Sequence, residues 1–185
     1  MKIVLISCAS KKLRKKAKAK DLYLSNLFKL NLNYAYSLNP DKIFILSAKY
    51  GLLDLDEEIE PYNLTLNKIK DEEIQDWANK VLDQLKGKTD LQEDEFIFLA
   101  GENYRKYLLP RIKNYKIPLK GLGIGKQLKF LKENLKILMN FDGAQKFRKI
   151  SDMSEECDVI HKQFNSMKRF SFPCDILCRL KPTAS

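Results

Sequence analysis

Three short apolar runs, KIVLIS at Lys2 to Ser7, KIFILSA at Lys42 to Ala48 and DEFIFLA at Asp94 to Ala100, are separated by stretches each long enough for a helix. A strand with one face in water alternates apolar and polar residues, whereas a run that is apolar at nearly every position has both faces covered. The intervening segments fit helices. Leu22, Tyr23, Leu27, Leu30 and Tyr34 recur at helical spacing after Asp21, a residue type suited to an N-cap, and Asn39-Pro40 closes the segment. Asp71-Glu72-Glu73 opens a second helix with Ile74, Trp77, Val81 and Leu85 on one stripe, ending at Gly87. Tyr104, Leu108 and Ile112 mark a third, with Pro110 inside it, and Lys116 to Leu119 reads as a short fourth strand leading through GLGIGK into a last helix. Strands alternating with helices pair in parallel through right-handed crossovers. The sequence thus predicts an α/β fold, a three-layer α/β/α sandwich with a mainly parallel sheet over residues 1–140, followed by a basic helical C-terminal extension over 141–185.

At 185 residues, 44% of them hydrophobic, the chain can bury one substantial core. No apolar stretch approaches the roughly 18 residues that a membrane helix needs. MKIVLISC is too short, and too promptly followed by charge, for a secretory signal. The expectation is a soluble, cytoplasmic protein without a membrane partner. Four cysteines, Cys8, Cys157, Cys174 and Cys178, are too few and too unevenly placed for a secreted disulfide framework.

Thirty-four Lys and Arg against 24 Asp and Glu leave a net charge of +10, which makes a polyanion the first partner to consider. The first twenty residues hold Lys2, Lys11, Lys12, Arg14, Lys15, Lys16, Lys18 and Lys20 without one Asp or Glu. Lys11, Lys15, Lys16 and Lys18 are therefore candidate phosphate contacts on DNA, the alternative being a solvated loop surface.

Ligands of a parallel α/β sheet sit beyond the carboxyl ends of its strands. Every unusual stretch falls there: Ser7 to Lys20, Lys49 to Leu66, Gly101 to Tyr104, and the glycine turn. Ser7, Cys8, Gly101 and Tyr104 are placed at the mouth by this topology, and Tyr23 and Ser25 can reach it from the first helix. Tyr50 and Tyr62 either stack on a base or anchor their loop, while the Asn63 amide suits a base edge. Gly123, Gly125 and Lys126 either present backbone N–H groups to a phosphate or form a plain strand-to-helix turn. The sole histidine, His161, lies far from these segments, so acid–base work falls to carboxylates, tyrosine or lysine. Asp21, Asp54, Glu60 and Glu102 are the acids near the inferred mouth, with Asp21 and Glu60 the chosen candidates. A carboxylate there can oppose an oxocarbenium-like sugar and orient water, whereas a desolvated Lys12 or Lys49 can attack as an amine and form a Schiff base. Neither route requires a cofactor.

Taken in order, Ser7-Cys8-x-x-x-Lys12, Asp21-Leu22-Tyr23-x-Ser25-x-x-Phe28, ILSAKYGLL, Pro61-Tyr62-x-x-Thr65-Leu66, Gly101-x-x-Tyr104 and PLKGLGIGKQL resemble a family of small bacterial and phage proteins catalogued as a domain of unknown function. The likeness covers roughly Met1 to Leu131. That family is in turn distantly similar to the uracil-DNA-glycosylase-like fold and to a domain of archaeosine synthase, where a Cys-x-x-x-Lys-Pro-Tyr-x-x-Ser stretch occurs. The resemblance implies an α/β/α domain working on a nucleobase within a nucleic acid, and modified bases as targets for members linked to defence against phage. The functional expectation is a DNA glycosylase that flips its target base into the cleft. A base-modifying transferase and a non-catalytic nucleic-acid-binding module are the rivals.

In the tail, Cys157-x-x-x-His161 would place two ligand types on one helical face, and Cys174-x-x-x-Cys178 follows. The four residues either hold a structural zinc or, for the cysteines, are simply buried apolar side chains.

Overall fold

The computed structural model describes residues 1–135. The extension over 141–185, with the candidate zinc ligands Cys157, His161, Cys174 and Cys178, lies outside the described residues. In chain order, β1 (Lys2–Ser7) runs into a loop that contains β2 (Ala17–Lys18) and a single turn, α1 (Ala19–Leu22). Next come α2 (Asn26–Ser37), β3 (Lys42–Ser47), β4 (Gly51–Asp54), β5 (Glu58–Ile59) and α3 (Asp71–Lys86). The chain continues through β6 (Glu95–Leu99), α4 (Glu102–Arg105) and β7 (Asn114–Lys116), and a further helix, α5, occupies residues 124–135.

Five strands form one sheet in the order β4-β3-β1-β6-β7, in which only β4 runs antiparallel. β1 is the central strand, and Leu5 faces Phe44 on one neighbour and Phe98 on the other. Its side chains divide between two cores as the period of two requires. Ile3 and Leu5 pack with Trp77, Val81 and Leu85 of α3, while Val4 and Ile6 pack with Phe28 and Ala35 of α2 and Leu131 of α5. Full burial of such side chains contributes about 1.5–3 kcal/mol each, so β1 is the least expendable strand. The result is the expected α/β/α sandwich.

Several local expectations are corrected. Asp21 does not cap the first long helix. Ser25 does, its Oγ accepting from the Phe28 N–H at 3.1 Å, and Leu22 and Tyr23 precede the helix. The buried stripe of α2 is accordingly Phe28, Asn31, Tyr34 and Ala35, with Leu27 and Leu30 at its margins. The helix read through Ile112 is a single turn, α4, followed by a 3-10 turn at Leu109–Arg111 that accommodates Pro110 at its start, where a missing N–H costs nothing. The fourth parallel strand is Asn114–Lys116, earlier than the Lys116 to Leu119 expected.

The segment after β3 is not one long loop. Ala48-Lys49-Tyr50 is a hairpin turn that reverses the chain into the edge strand β4, with Ser47 paired to Gly51 and Ile45 to Leu53. Gly51 takes φ +85°, and a Cβ there would meet Gln84 Oε1 at 2.3 Å. That oxygen accepts from the Leu52 N–H at 2.7 Å, tying the hairpin to α3. The acidic bend beyond β4 answers the basic run: β5 pairs with β2, Lys16 meets Glu58 at 2.9 Å, and Lys18 and Lys20 meet Asp56 at 3.0 and 2.8 Å. The acid-free run of the sequence is thus not acid-free in space.

Gly51→Ala is expected to lose about 1–2 kcal/mol from the left-handed φ alone, and more from displacing Gln84. Gly87→Ala, at φ −72° with no close contact, should change stability by about 0.5 kcal/mol or less. Urea denaturation of the two variants checks the difference.

Candidate functional site

β1 and β6 lie side by side, yet their carboxyl ends send the chain to opposite faces of the sheet. The segment after β1 leads to α2 in one core, and the segment after β6 leads to Tyr104 and Leu108 in the other. This divergence opens a crevice at the strand ends, the place where parallel α/β folds take their ligands. A cavity of about 750 Å³ occupies it. Residues 7–11 supply one side and residues 99–105 the other, and α2, the Leu64 to Asn67 segment and the glycine turn close it.

The two strand ends are bridged. Cys8 continues the ladder through its N–H to the Leu46 carbonyl at 3.0 Å, and its Sγ lies 3.2 Å from Tyr104 Oη. Tyr104 in turn meets Trp77 edge to face, 5.6 Å between centroids. Cys8 is a free thiol. Around it Glu102 is the one carboxylate among the described residues lining the cavity, Lys11 and Arg105 are its cations, and Leu27, Leu119 and Leu122 give it apolar wall. This mixture of apolar surface with a few placed polar groups suits a flat, partly polar ligand.

Behind the cavity lies a hydroxyl chain. Tyr62 Oη sits 2.7 Å from Ser47 Oγ and 3.0 Å from Tyr23 Oη. Lys12 Nζ stands 4.1 Å from the Tyr62 ring centroid and 5.6 Å from that of Tyr23, a pair of cation–π contacts. Loss of water around Lys12 lowers its ammonium pKa. Burial pushes the Tyr23, Tyr62 and Tyr104 phenols well above the usual tyrosine range.

Of the residues singled out in the sequence, the fold brings Ser7, Cys8, Lys11, Ser25, Gly101 and Tyr104 to the cavity. Tyr23, Tyr62 and Lys12 belong to the hydroxyl chain behind it. Tyr50 packs edge to face on Tyr62, centroids 5.5 Å apart, and donates from its hydroxyl to the Glu60 carbonyl, so both tyrosines brace the hairpin. Lys49, Glu60, Asn63 and Asp21 are exposed and absent from the cavity wall. Lys15 is exposed, Lys16 and Lys18 are ion-paired, and in the glycine turn Gly121, Leu122 and Ile124 reach the cavity rather than Gly123, Gly125 or Lys126. The residues that sequence reasoning missed are Asn31 and Arg105, and Glu102 was named only among the nearby acids. Asn31 carried a signal: it stands three residues from both Phe28 and Tyr34, a polar residue on an apolar helical stripe.

No group of three or more His, Cys, Asp or Glu side chains suited to a metal ion occurs among the described residues, nor any helix long and apolar enough to cross a membrane.

The three buried phenols set an alkaline limit. In the fold they keep their protons above the ordinary tyrosine pKa of 10.0, where unfolded phenols ionise, so the unfolded state binds fewer protons there. Stability is unaffected by them below that pH and falls as pH rises above it, by about 1.4 kcal/mol per pH unit for each residue. Near-ultraviolet phenolate absorbance should show Tyr23, Tyr62 and Tyr104 ionising only as the protein unfolds. Tyr62→Phe, which removes the hydroxyl that joins those of Ser47 and Tyr23, should cost about 1–3 kcal/mol and make this alkaline loss shallower.

No curated protein and no solved structure matches the chain. A family model does, over residues 3–133, a span that contains the sheet apart from Lys2 and both strand ends that frame the cavity. The chain belongs to the family of unknown function DUF6884.

Proposed function

We propose that the chain is a nucleobase-directed enzyme acting on DNA, and specifically an N-glycosylase that cleaves the bond between a base and its sugar. The observation that carries this reading is the cavity at the diverging ends of β1 and β6, where among the described residues Glu102 is the one carboxylate in the wall and Lys11 and Arg105 are the cations. Its volume of about 750 Å³ has room for a flipped nucleotide, and its apolar walls suit the faces of a base. The net charge of +10 favours a polyanionic substrate. The motif resemblance to the uracil-DNA-glycosylase-like fold points the same way.

In this reading Lys11 and Arg105 engage phosphates on either side of the extruded nucleotide. The C1′–N bond breaks with its electron pair leaving on the base, and positive charge develops on the sugar. Glu102 opposes that charge and orients a water whose oxygen bonds to C1′; one water proton passes to the carboxylate and from there to the departing base. The products are the free base and an abasic site. Glu102 takes the part for which Asp21 and Glu60 were candidates, because those two side chains do not line the cavity. A Schiff-base route through Lys12 is disfavoured by the placement of its Nζ over two tyrosine rings.

DNAs carrying different modified bases, incubated with the protein and analysed by mass spectrometry for released small molecules, test the proposal. Free base is expected from at least one of them. Glu102→Gln should slow release by about 100-fold or more while leaving DNA binding nearly unchanged. Lys11→Gln with Arg105→Gln should weaken binding and flatten its salt dependence. A mass gain on the DNA instead of a released base would favour the transferase, and salt-sensitive binding without any product the non-catalytic module.

A further inference from the structure

Asn31 is 4% exposed, on the inward stripe of α2 among Phe28, Tyr34 and Ala35. Its Oδ1 has no hydrogen-bond partner, the one buried side-chain nitrogen or oxygen among the described residues in that condition. Leaving such an acceptor dry costs roughly 1–3 kcal/mol, and an apolar residue would serve the packing better. Asn31 also lines the 750 Å³ cavity, as do Phe28, Leu119 and Leu122. A buried acceptor left unpaired on a residue of the cavity wall is arranged for a partner that the described residues do not supply.

We propose that Asn31 is the specificity-determining residue of the cavity, its carboxamide pairing with a ligand edge that presents an N–H donor beside an acceptor. Oδ1 requires a donor, and the amide nitrogen next to it offers one in return. A planar heterocycle seated between Phe28, Leu119 and Leu122 meets both demands when it carries an amino group next to a ring nitrogen, as adenine and cytosine do, or a ring N–H next to a carbonyl, as uracil and guanine do. The inference rests on the nucleobase reading above for the class of ligand, but not on the cleavage step. A site built to satisfy a buried polar group rejects ligands that leave it unpaired, which is a stronger filter than the shape of an apolar wall.

The carboxamide also has a signature that a merely structural residue lacks. Because its Oδ1 is unsatisfied among the described residues, replacing it with leucine, of similar volume, should leave thermal stability unchanged or raise it while removing recognition. Calorimetric titration of the full chain with free adenine, cytosine, guanine and uracil is the direct test. Their methylated counterparts, N6,N6-dimethyladenine, 1,N4,N4-trimethylcytosine, 1,N2,N2-trimethylguanine and 1,3-dimethyluracil, remove the N–H donors of the base-pairing edge and of the pyrimidine N1, and the adenine and uracil pairs separate amino-bearing from oxo-bearing ligands. At least one base should bind, its methylated form roughly tenfold or more weaker, and Asn31→Leu should lose that preference at an unchanged or higher Tm. Equal binding of the base and its methylated form, unchanged binding by Asn31→Leu, or no binding of any base overturns the inference. So does a several-degree fall in Tm shared by Asn31→Leu and Asn31→Ser, which would make the residue structural. Base release from DNA with unaltered preference in Asn31→Leu would remove the inference and leave the glycosylase reading standing. Base binding without any release from DNA would do the reverse.

Discussion

The burial of β1 on both faces, between β3 and β6, is the constraint from which the rest of the molecule follows. Ile3 and Leu5 commit one face to the core under α3, and Val4 and Ile6 commit the other to the core under α2 and α5. A strand so enclosed can be entered only at its ends. Because β6 sits beside it and sends its chain to the opposite layer, the carboxyl end of β1 borders a gap between the two crossovers. Cys8 and Tyr104 span that gap, and the cavity is its widening. The position of the site is therefore a consequence of strand order and crossover side, and loop sequence decides only what lines it.

From Lys49 to Asn63 the chain serves mainly as a brace. The hairpin at Gly51 is tied to α3 through Gln84, and Trp77 Nε1 of the same helix donates to the Ser47 carbonyl at 2.8 Å. Ser47 then contacts Tyr62, and Tyr62 contacts Tyr23 ahead of α2, so one polar chain links α3, the end of β3 and the start of α2. Lys12, held beside Tyr23 by an antiparallel bridge, covers the two rings. The acidic residues after β4 serve the lysines of β2 in the same structural sense. Lys11 lies outside this arrangement and remains available at the cavity.

The three apolar runs were legible because full burial writes itself as continuous apolar sequence, and the α3 stripe because Ile74, Trp77, Val81 and Leu85 have no competing register. The start of α2 was not, because Asp21 and Ser25 are both capping residue types, and only the folded chain, with Tyr23 held in a bridge to Lys12 and Ser25 accepting from Phe28, shows which one begins the helix. Strand order was equally hidden: nothing local announces that β1 lies between β3 and β6, and without that fact the gap cannot be located. Aromatic and charged residues clustered after β3 looked functional, since their partners, Ser47, Gln84 and the β2 lysines, are distant in sequence. Asn31 was overlooked for the opposite reason, as a single polar residue inside a helix whose stripe had been read one position off.

Photo-crosslinking to a DNA carrying a halogenated base, with the crosslinked peptides identified by mass spectrometry, tests most directly whether the crevice between β1 and β6 receives the base. The account predicts adducts on residues 7–11, 25–31 or 101–105, the segments that line the cavity. Adducts confined to residues 49–63, the braced hairpin and its acidic bend, would contradict it.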